Sequence, residues 1–396
     1  MPASDPIVVV GAARTPIGGF LGELKDVPAP ALGAAAIRAA LARAGLDGEG
    51  VDEALMGCVL AAGLGQAPAR QAALAAGLPV GVGATTINKM CGSGMKAAML
   101  ACDLVAAGSA RIVVAGGMES MSNAPYLLER ARSGYRMGHG RVADHMFLDG
   151  LEDAYDKGRL MGTFAEDCAQ GYQFTREAQD SYALRSLERA QAAMREGAFA
   201  AEIAPVAVKA GRSETIVAAD EQPPKGRPEK FPTLRPAFRD GGTVTAANSS
   251  SISDGAAALV VTRESEAARR GIAPLAHVVG HATYAAAPKD FPTAPIGAIR
   301  RLFDKTGWKA ESVDLYEINE AFALVAMAAM RDLDLPADKV NVNGGACALG
   351  HPIGASGARI LVTLIAALKT RGLRRGVAAL CIGGGEGTAM AVELAR

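Results

Sequence analysis

The sequence predicts an α/β fold made of two similar halves, and three observations carry that reading. Short β-branched runs alternate with alanine-rich helical stretches, the pattern of mixed or parallel sheets flanked by helices. One strand-turn-helix-strand unit recurs in the second half, as internal duplication requires. The 396 residues also exceed one average core, so two or three domain-like units are expected.

In chain order the strand candidates are 7–10, 54–59, 112–115, 258–262, 314–318 and 377–382. The repeat aligns Val51-Asp52-Glu53-Ala54 with Val313-Asp314-Leu315-Tyr316. Next, Thr86-Ile87-Asn88, before a cysteine turn and a helix, matches Asn341-Val342-Asn343, before a glycine turn and a helix. Arg111 to Gly117 then matches Gly376 to Gly384. Duplication places equivalent strand ends together, and loops at the carboxyl ends of strands are where open α/β sheets bind ligands.

From 122 to 247 the texture changes. The stretch holds most of the aromatic residues, an amphipathic helical segment at 176–193 and the loop Pro223-Pro224-Lys225-Gly226-Arg227-Pro228. It is expected to be an insertion packed over the first half. The domains are thus 1–121 with 248–271, the insertion 122–247, and 272–396.

Composition narrows the function. Lys plus Arg and Asp plus Glu both total 41, so no global field attracts nucleic acid or an anionic membrane. Any anionic ligand needs a local patch. The six cysteines, 58, 91, 102, 168, 347 and 381, lack the density of a disulfide scaffold and are expected to be reduced. No basic region precedes the short apolar run at 7–10, and no apolar stretch is expected to approach the roughly 18 residues needed to span a bilayer. A cytoplasmic protein is the expectation.

The chemistry concentrates in glycine-rich motifs. Asn88-Lys89-Met90-Cys91-Gly92-Ser93-Gly94 sets Cys91 between a β-branched segment and a helical run from 96 to 107. A helix N-terminus would stabilise a thiolate there, although a free cysteine is more often a small buried hydrophobe. His351, before Pro352 and the small residues 354–358, suits a base for a thiol proton or a buried ring satisfied by backbone. Those small residues let a helix pack closely on a neighbour. Cys381 ends an apolar strand before Gly383-Gly384-Gly385; alone it reads as core, and the glycines as a phosphate cradle lack the Lys-Ser or Lys-Thr of a P-loop. Asn319, opening Asn319-Glu320-Ala321-Phe322, is an N-cap or a residue that orients water at an oxyanion.

Together with Arg14-Thr15-Pro16-Ile17-Gly18, Gly116-Gly117-Met118-Glu119-Ser120-Met121-Ser122 and the run from Asn343-Gly344-Gly345 to Gly357, these motifs resemble the thiolase family along essentially the whole chain. The resemblance implies βαβαβαββ halves in a layered α-β-α-β-α core, with the insertion a loop domain covering coenzyme A. It implies an acyl-CoA C-acyltransferase acting on acetyl-CoA, acetoacetyl-CoA or longer 3-ketoacyl-CoA. Cys91 would carry the acyl group, His351 take the thiol proton and Cys381 remove the α-proton. His351 and an Asn319-held water would hold the enolate oxygen, and the N–H groups of Cys91 and Gly383 the acyl oxyanion.

The same resemblance assigns Ser250 to the pantetheine arm and Lys225 or Arg227 to the nucleotide phosphates, the last two reading equally well as solvated charges. Met161, Phe291 and Phe322 fall in the substrate-binding region. No metal or organic cofactor is implied, since CoA thioesters are the substrates; a homodimer or homotetramer is. Departures from the family pattern are Leu160, where short-chain members carry histidine, Phe291-Pro292 in place of Met-Gly, and Ser251 in place of glycine. Two rivals are a decarboxylating ketosynthase, disfavoured by Asn319 and Cys381 where two histidines are usual, and a silent CoA-binding relative, disfavoured by the complete residue set.

Overall fold

The computed structural model describes residues 5–210 and 213–395. The expected lack of a basic leader rests partly on Met1 to Ser4, which lie outside the described residues. The first half comprises β1 (Ile7–Arg14), α1 (Ala29–Arg43), β2 (Glu53–Gly57), α2 (Pro68–Ala75), β3 (Gly83–Ile87), α3 (Ser93–Ala107) and β4 (Ile112–Ser120). Next come α4 (Met161–Tyr172) and α5 (Arg176–Arg195), and β5 (Ser253–Arg263) returns the chain to the first half. The second half is β6 (Ala276–Ala285), α6 (Ala294–Thr306), β7 (Leu315–Ile318), α7 (Ala323–Asp332), α8 (Ile353–Arg371), β8 (Arg375–Ile382) and β9 (Glu386–Leu394).

All six expected strands form. The stretch from 253 is a strand throughout, and β4 runs on through Gly116 and Gly117. Those glycines serve close packing, because a Cβ on Gly116 would lie 2.1 Å from the Ala257 carbonyl oxygen and one on Gly117 2.0 Å from that of Gly354. Strands β6 and β9 escape a sequence reading because alanine and glycine interrupt their β-branched residues.

Among the described residues these strands, with the short pair Gly18–Gly19, form one sheet in the order β7-β8-β9-β6-β1-β5-β4-β2-β3. The halves join where β1 meets β6 through Val8 opposite His277 and Val9 opposite Ala276. Helices α3 and α8 pack on each other and on strands of both halves; α1 and α2 cover the first half-sheet, and α6 the second. The layers are therefore α-β-α-β-α.

The duplication is exact enough to fix a register. Asp52 Oδ2 accepts the N–H groups of Arg111 and Ile112 at 2.6 and 3.1 Å, and Asp314 Oδ2 accepts those of Arg374 and Arg375 at 3.0 and 2.8 Å. Ile112 thus corresponds to Arg375, and six residues further along each strand Met118 corresponds to Cys381. One element breaks the symmetry: the partner of β7 equivalent to β3 shrinks to a single bridge between Tyr316 and Val340.

The α8 segment corrects one expectation. Ile353–Arg371 is long and apolar enough to cross a membrane, and so is 90–107, but 83% of the first is buried inside the protein. It is the central core helix, made apolar by contacts on all sides. Small residues bring it against α3: a Cβ on Gly357 would sit 2.5 Å from the Met95 nitrogen.

The insertion expected over the first half is divided between the halves: α4 and α5 pack on α7 and on the 288–293 and 346–349 segments of the second half, while Arg14 ties Glu202 and Asp220 to the first. Fully buried, Arg14 binds Glu202 at 2.6 Å and both oxygens of Asp220 at 2.7 and 2.8 Å. Losing one partner of such a buried pair costs about 3–5 kcal/mol, because the other charge stays desolvated.

Candidate active site

Cys91 sits in a tight turn between β3 and α3. Met90 takes a left-handed φ of 46°, Gly92 donates to the Lys89 carbonyl at 3.0 Å, and Ser93 Oγ donates to that of Met90 at 2.6 Å. Gly92 is needed because a Cβ there would lie 2.4 Å from Ile382 Cδ1. The turn thereby presses against the end of β8, and an ion pair from Lys89 to Glu386 ties it to β9.

The expected stabilised thiolate is corrected. Helix α3 begins at Ser93 with Gly92 as its cap, so Cys91 precedes the first free N–H groups. Burial pushes its thiol up to about 11, the nearby Glu119 carboxylate adds to this, and the N–H groups of Gly383 and Cys91 offset it only in part. At neutral pH the sulfur is a thiol. The same two N–H groups that the family resemblance assigns to an acyl oxyanion face this sulfur in the unreacted protein.

His351 precedes α8 and is 6% exposed. Its Nδ1 lies 2.6 Å from Ser356 Oγ, whose own proton goes to the Pro352 carbonyl at 2.9 Å. Ser356 therefore accepts from Nδ1–H, which leaves Nε2 unprotonated, and Nε2 has no partner. Burial, with the charge of Arg359 behind it, holds the imidazolium pKa down to about 3. A neutral ring presents its lone pair at every physiological pH.

Cys381 is wholly buried near the end of β8, packed with Phe164, Phe291, Ala321 and Phe322. Burial raises its thiol well above the ordinary value, and the proximity of Cys91 raises it further. Asn319 follows β7; it is 1% exposed, and neither its amide oxygen nor its nitrogen has a partner. A buried amide left open on both sides fits a water-binding role better than an N-cap, and α7 starts only at Ala323.

A cavity of about 360 Å³ has Cys91, His351 and Gly383 on its wall. Ser250, Met161, Phe291 and Phe322 also line it, and so do all three departures, Leu160, Phe291 and Ser251. Ser250 Oγ donates to the Ala321 carbonyl at 2.9 Å, and the Ser251 carbonyl accepts the His351 N–H at 3.1 Å. Lys225 and Arg227 are exposed and outside this lining, with Lys225 paired to Glu221. Cys381 and Asn319 are not part of this lining.

Sequence reasoning missed Phe147, Phe238, Ile252 and Ile353 on the wall; isolated apolar residues carry no signal of facing a cavity. Glu119 was quoted within a motif but given no task. Burial lifts its carboxyl to about 7, against the N–H groups of Leu60, Val59 and Gly354, which hold it down. Among the described residues no group of three or more His, Cys, Asp or Glu side chains is placed to hold a metal ion.

A thiol, a free imidazole nitrogen and paired N–H donors on one cavity wall are the equipment of a thiol-dependent acyl-transfer enzyme. Models of the thiolase N-terminal and C-terminal domains match residues 7–265 and 272–394, and the chain belongs to the thiolase family. It is 52% identical to acetyl-CoA acetyltransferase 2 of Arabidopsis thaliana over 98% of this chain and 97% of that one. It is 49% identical to an acetyl-CoA acetyltransferase of Cupriavidus necator over 98% and 99%. A crystal structure of the Bacillus anthracis acetyl-CoA acetyltransferase superposes with a TM-score of 0.97 at 42% identity, covering 100% of both chains. The Acat5 thiolase of Ascaris suum, in complex with coenzyme A, superposes with a TM-score of 0.94 at 41% identity, over 98% of this chain and 100% of that one. The chain is an enzyme of the acyltransferase class.

Proposed function

We infer that the chain catalyses the reversible Claisen condensation of acetyl-CoA with an acyl-CoA, and in reverse the thiolysis of a 3-ketoacyl-CoA, with acetoacetyl-CoA as the foremost product. The names of its close relatives support the reaction. The observation that carries the residue roles is the shared cavity wall: Cys91 and His351, its Nε2 without a partner, both line it, and Cys381 is close enough to Cys91 for that thiol to raise its pKa.

The protons can be followed through both steps. With the Cys91 thiol near 11 and the imidazolium near 3, no ion pair forms at rest. Proton transfer to Nε2 must therefore accompany attack of Cys91 Sγ on the thioester carbonyl. The N–H groups of Cys91 and Gly383 receive the developing oxyanion. As the carbon–sulfur bond to CoA breaks, the departing thiolate takes the proton of Cys381. This leaves acyl-Cys91, a Cys381 thiolate and an imidazolium. A second acetyl-CoA then loses its α-proton to Cys381, and the imidazolium, with water held by Asn319, stabilises the enolate oxygen. The carbanion attacks the acyl carbonyl, Cys91 leaves and recovers its proton from His351, and the resting state returns.

Desolvation suits this cycle. A buried Cys381 thiolate is a stronger base than one in water. Ser250 is assigned to the pantetheine arm, Lys225 and Arg227 to the nucleotide phosphates, and Met161, Phe291 and Phe322 to the acyl side. A cytoplasmic homo-oligomer, dimer or tetramer, completes the proposal, with no resident metal or organic cofactor. Acetyl-CoA alone should add one acetyl group at Cys91 by mass spectrometry, and CoA should cleave acetoacetyl-CoA; absence of both sinks the proposal.

A second reading concerns chain length alone. Leu160, Phe291 and Ser251 all line the cavity, and Leu160 adds apolar surface where short-chain relatives carry histidine. This favours longer or branched 3-ketoacyl-CoA as additional substrates. A thiolysis profile across acyl lengths decides it: a sharp maximum at acetoacetyl-CoA rules the second reading out.

A further inference from the structure

Asn319 can present its amide to a ligand only if the backbone around it is held, and a single side chain holds both neighbours. Asn341 Oδ1 accepts the N–H of Ile318 at 2.8 Å, and Asn341 Nδ2 donates to the Ile318 carbonyl at 2.8 Å and to Glu320 Oε1 at 2.7 Å. Here the side chain supplies what a neighbouring strand would, which explains why the equivalent of β3 is reduced to one bridge. Asn341 adopts φ 48° to do so, a conformation asparagine tolerates better than most residues.

Glu320 completes the clamp on the other side. Its two oxygens also accept from Tyr182 Oη at 2.9 Å, Ser186 Oγ at 2.7 Å and the N–H of Cys347 at 3.1 Å. Tyr182 and Ser186 lie on α5, in the covering region, and Ser186 Oγ in turn accepts the N–H of Gly345 at 2.9 Å. No Cβ fits at Gly345, since it would fall 2.2 Å from Glu320 Cδ. Inside this cage of filled hydrogen bonds, only the Asn319 amide is left open at both ends.

We propose that Asn341 and Glu320 are positioning residues for Asn319, Asn341 locking the Ile318 backbone groups before it and the anchored Glu320 carboxylate fixing the residue after it, with the Tyr182 and Ser186 hydroxyls of α5 completing the lock. The covering region then does more than lie over CoA: its docking sets the second oxyanion site. This deepens the thiolase reading of Asn319 and rests on it. The clamp touches neither the Cys91 turn nor the Cys91 and Gly383 N–H groups, so acylation of Cys91 and carbanion chemistry should separate.

The test compares the two half-reactions in the full-length protein and in Asn341→Ala, Ser186→Ala and Tyr182→Phe, the last two removing only a hydroxyl each. Acetylation of Cys91 by acetyl-CoA should stay within about threefold of the parent in every variant, since its own donors are intact. Thiolysis of acetoacetyl-CoA should lose on the order of 10²-fold in kcat for Asn341→Ala, the scale of a 1 Å misplacement, and about tenfold for the hydroxyl variants. KM should move little. Parallel loss of acetylation and thiolysis, or unchanged thiolysis, would overturn the clamp. A parent that neither acetylates nor thiolyses would instead remove the reading of Asn319, and this proposal with it.

Discussion

The two halves carry the same strand in the same register and use it differently. At the position of Met118 on β4, where the first half buries an inert thioether, the second half buries Cys381 on β8. At the position of the β3 end and its turn, the first half has Cys91, while the second has Asn341, a glycine turn and then His351. Duplication supplied two equivalent frames, and chemistry was divided between them. With the proposed roles, the first half offers the acyl carrier and the second offers the base, the general acid and the water site.

The comparison also shows how burial separates two cysteines. Cys91 touches a cavity and has two N–H donors at its sulfur; Cys381 has only its own N–H and is fully enclosed. Neither is ionised at rest. Their difference lies in access: one can meet a carbonyl carbon, the other only a proton on an adjacent group.

The sharpest way to break this division is to remove each cysteine in turn. Cys91→Ala should abolish acetylation and lower turnover by on the order of 10⁴-fold or more, the scale of losing a nucleophile. Cys381→Ser should still acetylate at position 91, while condensation falls by about 10³-fold, within the range for a lost acid–base group. Equal loss of both steps in the second variant contradicts the assigned roles.

A smaller effect reads the thiol directly. Alkylation of Cys91 by iodoacetamide follows the thiolate fraction, so with its pKa raised to about 11 the rate should rise about tenfold per pH unit through pH 9 and show no plateau below pH 11. A plateau near pH 8 would mean that the N–H donors outweigh burial. The smallest effect tests the register. Met118→Cys, at the equivalent of Cys381, should cost about 1–2 kcal/mol by urea denaturation, as a buried side chain is shortened. It should not restore condensation to Cys381→Ser, and any rescue would show that position alone, without the cavity, suffices.

Most of the fold was legible because its signals are local. Thr85-Thr86-Ile87 before Cys91 and the apolar run into Cys381 specify strands by residue type, and the Val51 and Val313 segments reveal the repeat by order alone. Strands β6 and β9 were not legible, since Ala, Gly and Thr there become strand only through pairing with each other and with β1 and β8. In the site, Cys91, His351, Asn319 and Cys381 stood out through their glycine-rich settings. Ser356, Asn341 and Glu320 did not, because each acts through a hydrogen bond that no local pattern announces.

What the sequence determined by itself was the inventory and its order: a duplicated α/β chain bearing two cysteines, a histidine and an asparagine in motifs similar to those of thiolases. Only the tertiary structure decided their protonation and their aim. Desolvation depends on everything packed around a group, so the Cys91 thiolate expected at a helix start becomes a thiol with a pKa near 11. A tautomer depends on the partner across space, so the open Nε2 of His351 follows from Ser356 and Pro352 rather than from the residues that name the motif.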